Sequence, residues 1–324
     1  MRNPLKLIVA AVVVSFFMIA PNAQAKDLSE INISYVKAPF NLQVMVMRKH
    51  ELLEKAFADE GIRIVWHDIT SGAHQTQAMA AGSLDVGSVM NTTSILMANA
   101  GGNPVRIAAG VSRPAKTFAI MGRPGGPATI AELKGTKIAG PRGTVLHQLL
   151  AAALASKGMG LSDVEYMGMD LPKAQTALIA GHVDAAMLAA GLMIKAEEAG
   201  ARVIATADGL LNPILVMAVR DGFAEEHSEA LNKVVRVHRE TTGWIAANLD
   251  EAIALGAEAQ GISVENATKL AQWAGFTAVL TPRDLDSIRE DMAFLMENDM
   301  LQKAVDVDAL VLDGAMAGKK EGAE

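Results

Sequence analysis

The stretch GPRGTVLHQLL, residues 140–150, sets a guanidinium, a bare backbone and a hydroxyl in front of a Leu- and Ala-rich run. A helix that starts after such a loop has unpartnered amides in its first turn, and its dipole favours negative charge there. Gly143 lets an anion approach the main chain, and Thr144 can cap the helix or donate to a ligand. Arg142 can add a forked charge, and Val145 contributes the next amide. The chemistry on offer is anion capture. A plainer role is open to the same residues: Thr144 as an ordinary cap and Arg142 in water.

Other loops have a similar cast. Pro39, Phe40 and Asn41 follow one apolar run, Ser71 and Gly72 follow another, and Asn91, Thr92 and Thr93 open the segment SILMANA. Covalent chemistry has weaker support. The seven histidines show no His-x-x-x-His spacing, and no Gly-x-Ser-x-Gly elbow or Walker glycine loop occurs. GRPGGP at 122–127 is a turn-rich loop with no Lys-Ser/Thr helix start behind it. His147, one turn into its helix, reads as a polar neighbour before a base. The expectation is no catalytic residue, no metal and no cofactor.

The elements that must position these loops follow from periodicity. INISYV and IRIVWHDI read as strands, with a helix from about Leu42 to Asp59 between them. SGAHQTQAMAAG reads as the next helix and LDVGSV as the next strand, while GTKIAG reads as a turn and short strand before a helix from Leu146 to Ser156. The order β-α-β-α-β predicts a doubly wound α/β sheet. It then returns: QAMAAGSLDVG at 77–87 aligns with TALIAGHVDAA at 176–186 at a constant offset of 99. Gly82 and Asp85 match Gly181 and Asp184, and both aspartates read as structural groups that bind loop amides. Two α/β lobes are expected, 26–116 with 215–324 as the first and 117–214 as the second. Two linking segments, near 113–120 and 212–219, form a hinge, and a hinge between lobes makes a cleft. Arg113 sits where it either reaches that cleft or pins the hinge. MLAAGLM at 187–193, with Ala190 and Gly191, gives the cleft a small apolar wall.

Composition narrows the partners. A net charge of −7 with mixed acidic groups argues against nucleic acid. No cysteine is present, which excludes disulfides and thiolate chemistry. Eight Phe, three Trp and two Tyr are too few to build an aromatic cage easily. At the start, Arg2 and Lys6 precede a chargeless run from Leu7 to Ala20, then Ala-Gln-Ala ending at Ala25. That pattern predicts a cleaved secretory signal over 1–25 and a periplasmic product.

INISYVKAPFN, AMAAGSLDVGSVMNT, ELKGTKIAGPRGTVLHQLL and ALIAGHVDAAML together resemble the periplasmic solute-binding proteins of ABC importers, in the group that binds sulfonates, taurine, nitrate or thiamine pyrimidines. The resemblance implies a type II-like two-lobe fold, a small and anionic organic solute in the cleft, an ABC permease as partner and a monomer. In that family the residues opening the helix at 144 hold the anionic group. Relatives often have an acidic and aromatic cluster where this chain has MLAAGLM, so no relative's ligand carries over. The alternative the resemblance leaves open is an enzyme of the thiamine-pyrimidine-synthase-like type, or a binder of a neutral pyrimidine. Those synthases rely on a cysteine-bearing motif that is absent here.

Overall fold

The computed structural model describes residues 28–318, so the expected signal at 1–25 lies outside the described residues. The chain runs β1 (Glu30–Ser34), α1 (Leu42–Lys49), α2 (Leu52–Phe57), β2 (Arg63–His67), α3 (Gly72–Ala80), β3 (Val86–Asn91), α4 (Thr92–Ala100) and β4 (Val105–Ser112). It crosses to a second sheet with β5 (Phe118–Gly122), β6 (Lys137–Gly140), α5 (Val145–Ala155), β7 (Glu165–Gly168), α6 (Leu171–Ile179), β8 (Ala185–Ala189), α7 (Ala190–Glu198) and β9 (Arg202–Thr206). It returns through β10 (Leu215–Arg220) and then α8 (Asp221–Glu226), α9 (Ser228–Ala247), α10 (Leu249–Gln260), α11 (Val264–Ala274), α12 (Pro282–Glu297) and α13 (Val307–Leu310).

The two sheets repeat one plan. Strand order is β2-β1-β3-β10-β4 in the first and β7-β6-β8-β5-β9 in the second. In each, three parallel strands are followed by a fourth that runs antiparallel to both its neighbours. That fourth strand is the one the chain forms immediately after crossing from the other sheet. The sheets are therefore mixed, not purely parallel, because a strand arriving from the opposite lobe enters from the far end.

The helix expected from Leu42 to Asp59 is two helices and a short 3₁₀ turn. Glu51 takes a left-handed conformation, φ 52°, that no helix interior accommodates. The C-terminal helices pack onto the first lobe and reach the second. Gly256 in α10 leaves room for Phe40 and Leu42; a Cβ there would lie 2.5 Å from Leu42 Cδ2 and 2.7 Å from Phe40 Cζ. Phe40 is accordingly in the core, 1% exposed.

Candidate functional site

A cleft lies between the two sheets. The first lobe lines it with Val36, Ala38 and Pro39 after β1, Thr70, Ser71 and Gly72 before α3, and Val89 and Asn91 on β3. The second lobe adds Pro141, Thr144, Val145 and Leu146 around the start of α5, Asp170 and Leu171 at the start of α6, and Ala189 after β8. Phe118 and Leu215, where the two crossings enter their sheets, complete the lining. This is where α/β physics puts a ligand, at the carboxyl ends of strands.

Five helices begin at this cleft: α7 behind Ala189, and four that open on a polar residue. Asn91 caps α4, its Oδ1 accepting from Ser94 N at 2.9 Å. Ser71, Thr144 and Asp170 stand at the N-caps of α3, α5 and α6, yet none makes a side-chain capping bond. Thr144 Oγ1 donates instead to Pro141 O at 3.2 Å. Three first turns thus face the cleft without the acceptor that a helix start ordinarily takes from its own cap. Gly72 permits the crowding: a Cβ there would sit 2.6 Å from Ser94 Oγ and 2.8 Å from Asn91 Nδ2.

Asp170 is the single charged side chain among the cleft-lining residues. His74 on α3 lies 3.8 Å from it across the lobes, an ion pair only when the imidazole is protonated. The positive potential of the cleft comes from helix starts alone, each end equivalent to about half a charge.

Of the residues singled out by sequence, Pro39, Ser71, Gly72, Asn91, Thr144 and Val145 come together here. The others have different employment. Phe40 fills the core, and Asn41 pins the loop beside it, Nδ2 donating to Val36 O and Ala38 O, each at 2.8 Å. Arg113 turns to the hinge, where Nε donates to Asp284 Oδ1 at 2.7 Å, and its main-chain N donates to Ala274 O at 3.0 Å. Arg142 lies over the Tyr166 ring, 4.9 Å from its centroid, and donates to Tyr166 O at 2.7 Å. Neither guanidinium lines the cleft, because each finds a fixed acceptor within reach of its own loop.

Gly143 has φ 66° and packs outward, where a Cβ would meet Met97 Sδ at 3.5 Å. Its carbonyl accepts from Ser94 Oγ at 2.8 Å, and Val145 N donates to Asn91 Oδ1 at 3.2 Å. The opening stretch is thus split: one edge lines the cleft and the other is stitched to α4 of the opposite lobe. Thr93 Oγ1 bonds Gln148 Oε1, and Thr92 Oγ1 lies 3.5 Å from Asp291 Oδ2, so neither threonine lines the cleft. Ala190, φ 44° and fully buried, begins α7 just behind Ala189. Gly191 makes room for the Gln260 side chain, which reaches from α10 to donate to Lys37 O and Pro39 O.

His147 stacks on Tyr166, centroids 4.8 Å apart, outside the cleft. Burial, with the Arg142 charge nearby, pushes its imidazole down to about 4, so it is neutral at physiological pH. Sequence reasoning missed Asp170, Leu171 and Thr70. The 99-residue offset carries Ser71 onto Asp170 and Gly72 onto Leu171, so the repeat held the signal for the first two.

A family model described as NMT1/THI5 like matches residues 56–252. A putative aliphatic sulfonates-binding protein of Escherichia coli (strain K12) is 26% identical over 268 residues, covering 81% of each chain. The taurine-binding periplasmic protein of the same organism is 27% identical over 192 residues, 55% of this chain and 56% of that one. Among solved structures, the alkanesulfonate-binding protein SsuA from Xanthomonas axonopodis pv. citri bound to MOPS superposes with TM-score 0.77 at 22% identity, covering 88% of this chain and 98% of that one. The fold is shared with that binding protein, and with more than half its length matched by the family model the chain belongs to the NMT1/THI5-like family.

Proposed function

We propose that this protein is a periplasmic receptor of an ABC importer, capturing a sulfonate-like anionic organic solute between its lobes and presenting it to a permease. It binds its solute and does not transform it. The observation that carries this reading is the convergence of α3, α5 and α6 on one cleft with no side-chain cap on any of them. A tetrahedral anionic head accepts from several amides at once, and helix starts supply both donors and potential. Relatives named for aliphatic sulfonates and taurine support the solute class.

In this reading the solute contacts Pro39, Ser71, Gly72, Asn91, Thr144 and Val145, and Phe118, Leu146, Leu171 and Leu215 cover its carbon chain. The lobes comprise 26–116 with 215–324, and 117–214. They close about segments 113–117 and 207–214, and the signal is removed after Ala25. Asp170 favours a second version, a solute with an ammonium or other donor beyond its anionic head, since a carboxylate in a narrow cleft repels a plain anion.

Calorimetry with ethanesulfonate and 2-aminoethanesulfonate tests both versions. At least one is expected to bind with 1:1 stoichiometry and to be recovered chemically unchanged. Tighter binding of the amino compound supports the Asp170 version, and its reversal in Asp170→Asn would confirm that assignment. Saturable binding of a neutral pyrimidine, with neither sulfonate bound, overturns the solute class. Turnover of any bound compound overturns the receptor.

A further inference from the structure

Thr92, Thr93, Gln148 and Asp291 form a buried polar cluster that the cleft does not use. Asp291 lies on α12 and the threonines on α4, both in the first lobe, whereas Gln148 lies on α5 in the second. Gln148 Nε2 donates to Asp291 Oδ1 at 2.7 Å, and its Oε1 accepts from Thr93 Oγ1. Gln148 is 1% exposed and Asp291 9%. The amide therefore spans the lobe interface with both ends engaged, one of them on a carboxyl group taken out of water.

We infer that Gln148 and Asp291 form a closure latch whose strength depends on whether the carboxyl group carries a proton. The inference rests on the reading that the lobes open and close. When they part, Gln148 leaves and water reaches the carboxylate; when they close, its charge is trapped. Burial pushes the Asp291 carboxyl up to about 6 from an ordinary 3.8, with Glu290 on the same helix adding to the rise and Gln148 and Thr92 opposing it. Closure and proton uptake then favour each other, so acid tightens the latch.

Other groups titrate nearby. His147 precedes Gln148 on α5, but it rests on Tyr166 and Arg142 of its own lobe. Asp308 on α13 is paired with Arg289 of α12, and α4 carries no ionisable side chain. His74 and Asp170 face each other across the cleft. A comparison between the parent and Asp291→Asn cancels all of these, because only one carboxyl group differs.

The chain has no cysteine, so Gln77→Cys on α3 and Lys173→Cys on α6 accept one spin label per lobe. Interlabel distances in the ligand-free protein give the closed-to-open ratio. The ratio in Asp291→Asn is expected to exceed that of the parent at pH 8, and this excess should shrink about ten-fold by pH 5. Gln148→Ala should lower the closed share at both pH values. An excess that does not change with pH, or a Gln148→Ala protein that closes like the parent, overturns the latch. A single distance under all conditions overturns the latch and the moving lobes together. Sulfonate binding, measured separately, stands or falls without reference to either result.

Discussion

Asp85 and Asp184 hold the same station in the two sheets. Each sits one residue or less before a central strand, and each closes the same set of bonds. Asp85 N donates to Asn32 O, Asn32 N donates to Asp85 Oδ2, and Arg220 donates to Asp85 through both its amide and its guanidinium. Asp184 repeats this with Lys137 and Arg123. In both, the carboxylate fastens a parallel strand to the antiparallel strand that arrives from the other lobe. The difference is water: the side chain of Asp85 is 9% exposed and that of Asp184 is 32%. The C-terminal helices pack mainly onto the first lobe and touch the second through α7. One plan is thus used twice, once as a sealed scaffold and once as a lighter companion.

The largest expected effect comes from opening that sealed tie. Asp85→Ala leaves a half-buried guanidinium and the Asn32 amide without their acceptor, and should cost about 3 kcal/mol in denaturant unfolding. Asp184→Ala should cost about 1 kcal/mol, because water replaces the lost bonds. Equal losses would break the comparison and mean that exposure does not set the worth of this tie.

The lobes differ again in their buried imidazoles. His238 on α9 is 1% exposed, its Nε2 donates to Gly110 O 2.8 Å away, and burial pushes it down to about 4. The folded state therefore binds this proton less well than the unfolded chain, and stability falls as pH drops from 6.5 toward 4. From pH 6.5 to 5 the loss should reach about 2 kcal/mol. His238→Gln keeps a neutral donor to Gly110 O, so its melting temperature should fall less over that interval. Asp291 acts with the opposite sign, which the difference between variant and parent removes. An unchanged pH slope in His238→Gln would move the acid sensitivity elsewhere, to the more exposed His147 of the second lobe among other groups.

How far this was legible in sequence follows from the same contrast. The repeat at offset 99 and the alternation of strand and helix patterns carry the two-sheet plan, because they are set by local periodicity. The two crossings were legible as the linking segments near 113–120 and 212–219, on either side of the second copy of the repeat. The break at Glu51 was not, since nothing in helix propensity marks that residue. The site divided along another line. Ser71, Gly72, Asn91 and Thr144 were visible as cap-type residues after strands. Arg113 and Arg142 each had two readings open, because a guanidinium goes to the acceptor that folding brings nearest, and Asp284 lies 171 residues from Arg113. Asp170 escaped notice because the repeat was aligned over 77–87 and 176–186 and was not carried back to Ser71.

A smaller effect separates the two helix starts that meet at the interface. Asn91 Oδ1 serves Ser94 N in its own helix and Val145 N in the other lobe. Asn91→Ala removes a cap and an interlobe bond, and should cost about 1 kcal/mol of stability. Asn91→Asp retains the acceptor and places a negative charge between two helix starts. It should therefore recover the stability while repelling an anionic solute.

The smallest change in stability, and the sharpest test of the cleft, is Thr144→Ala. Thr144 is 4% exposed, but its hydroxyl donates to Pro141 O and makes no bond to the helix it begins. Loss of an ordinary cap costs about 1 kcal/mol; loss of this hydroxyl should cost only a few tenths, seen as a nearly unchanged melting temperature. A bound anion changes the balance, because the hydroxyl can rotate from Pro141 O toward a stronger, charged acceptor. Sulfonate affinity should then fall by roughly ten-fold in a protein that is otherwise as stable as the parent. Thr144→Ser should restore it. If Thr144→Ala instead loses stability and keeps its affinity, the residue is a cap after all. The anion would then rest on α3 and α6, and the first lobe would contribute as much to capture as the second.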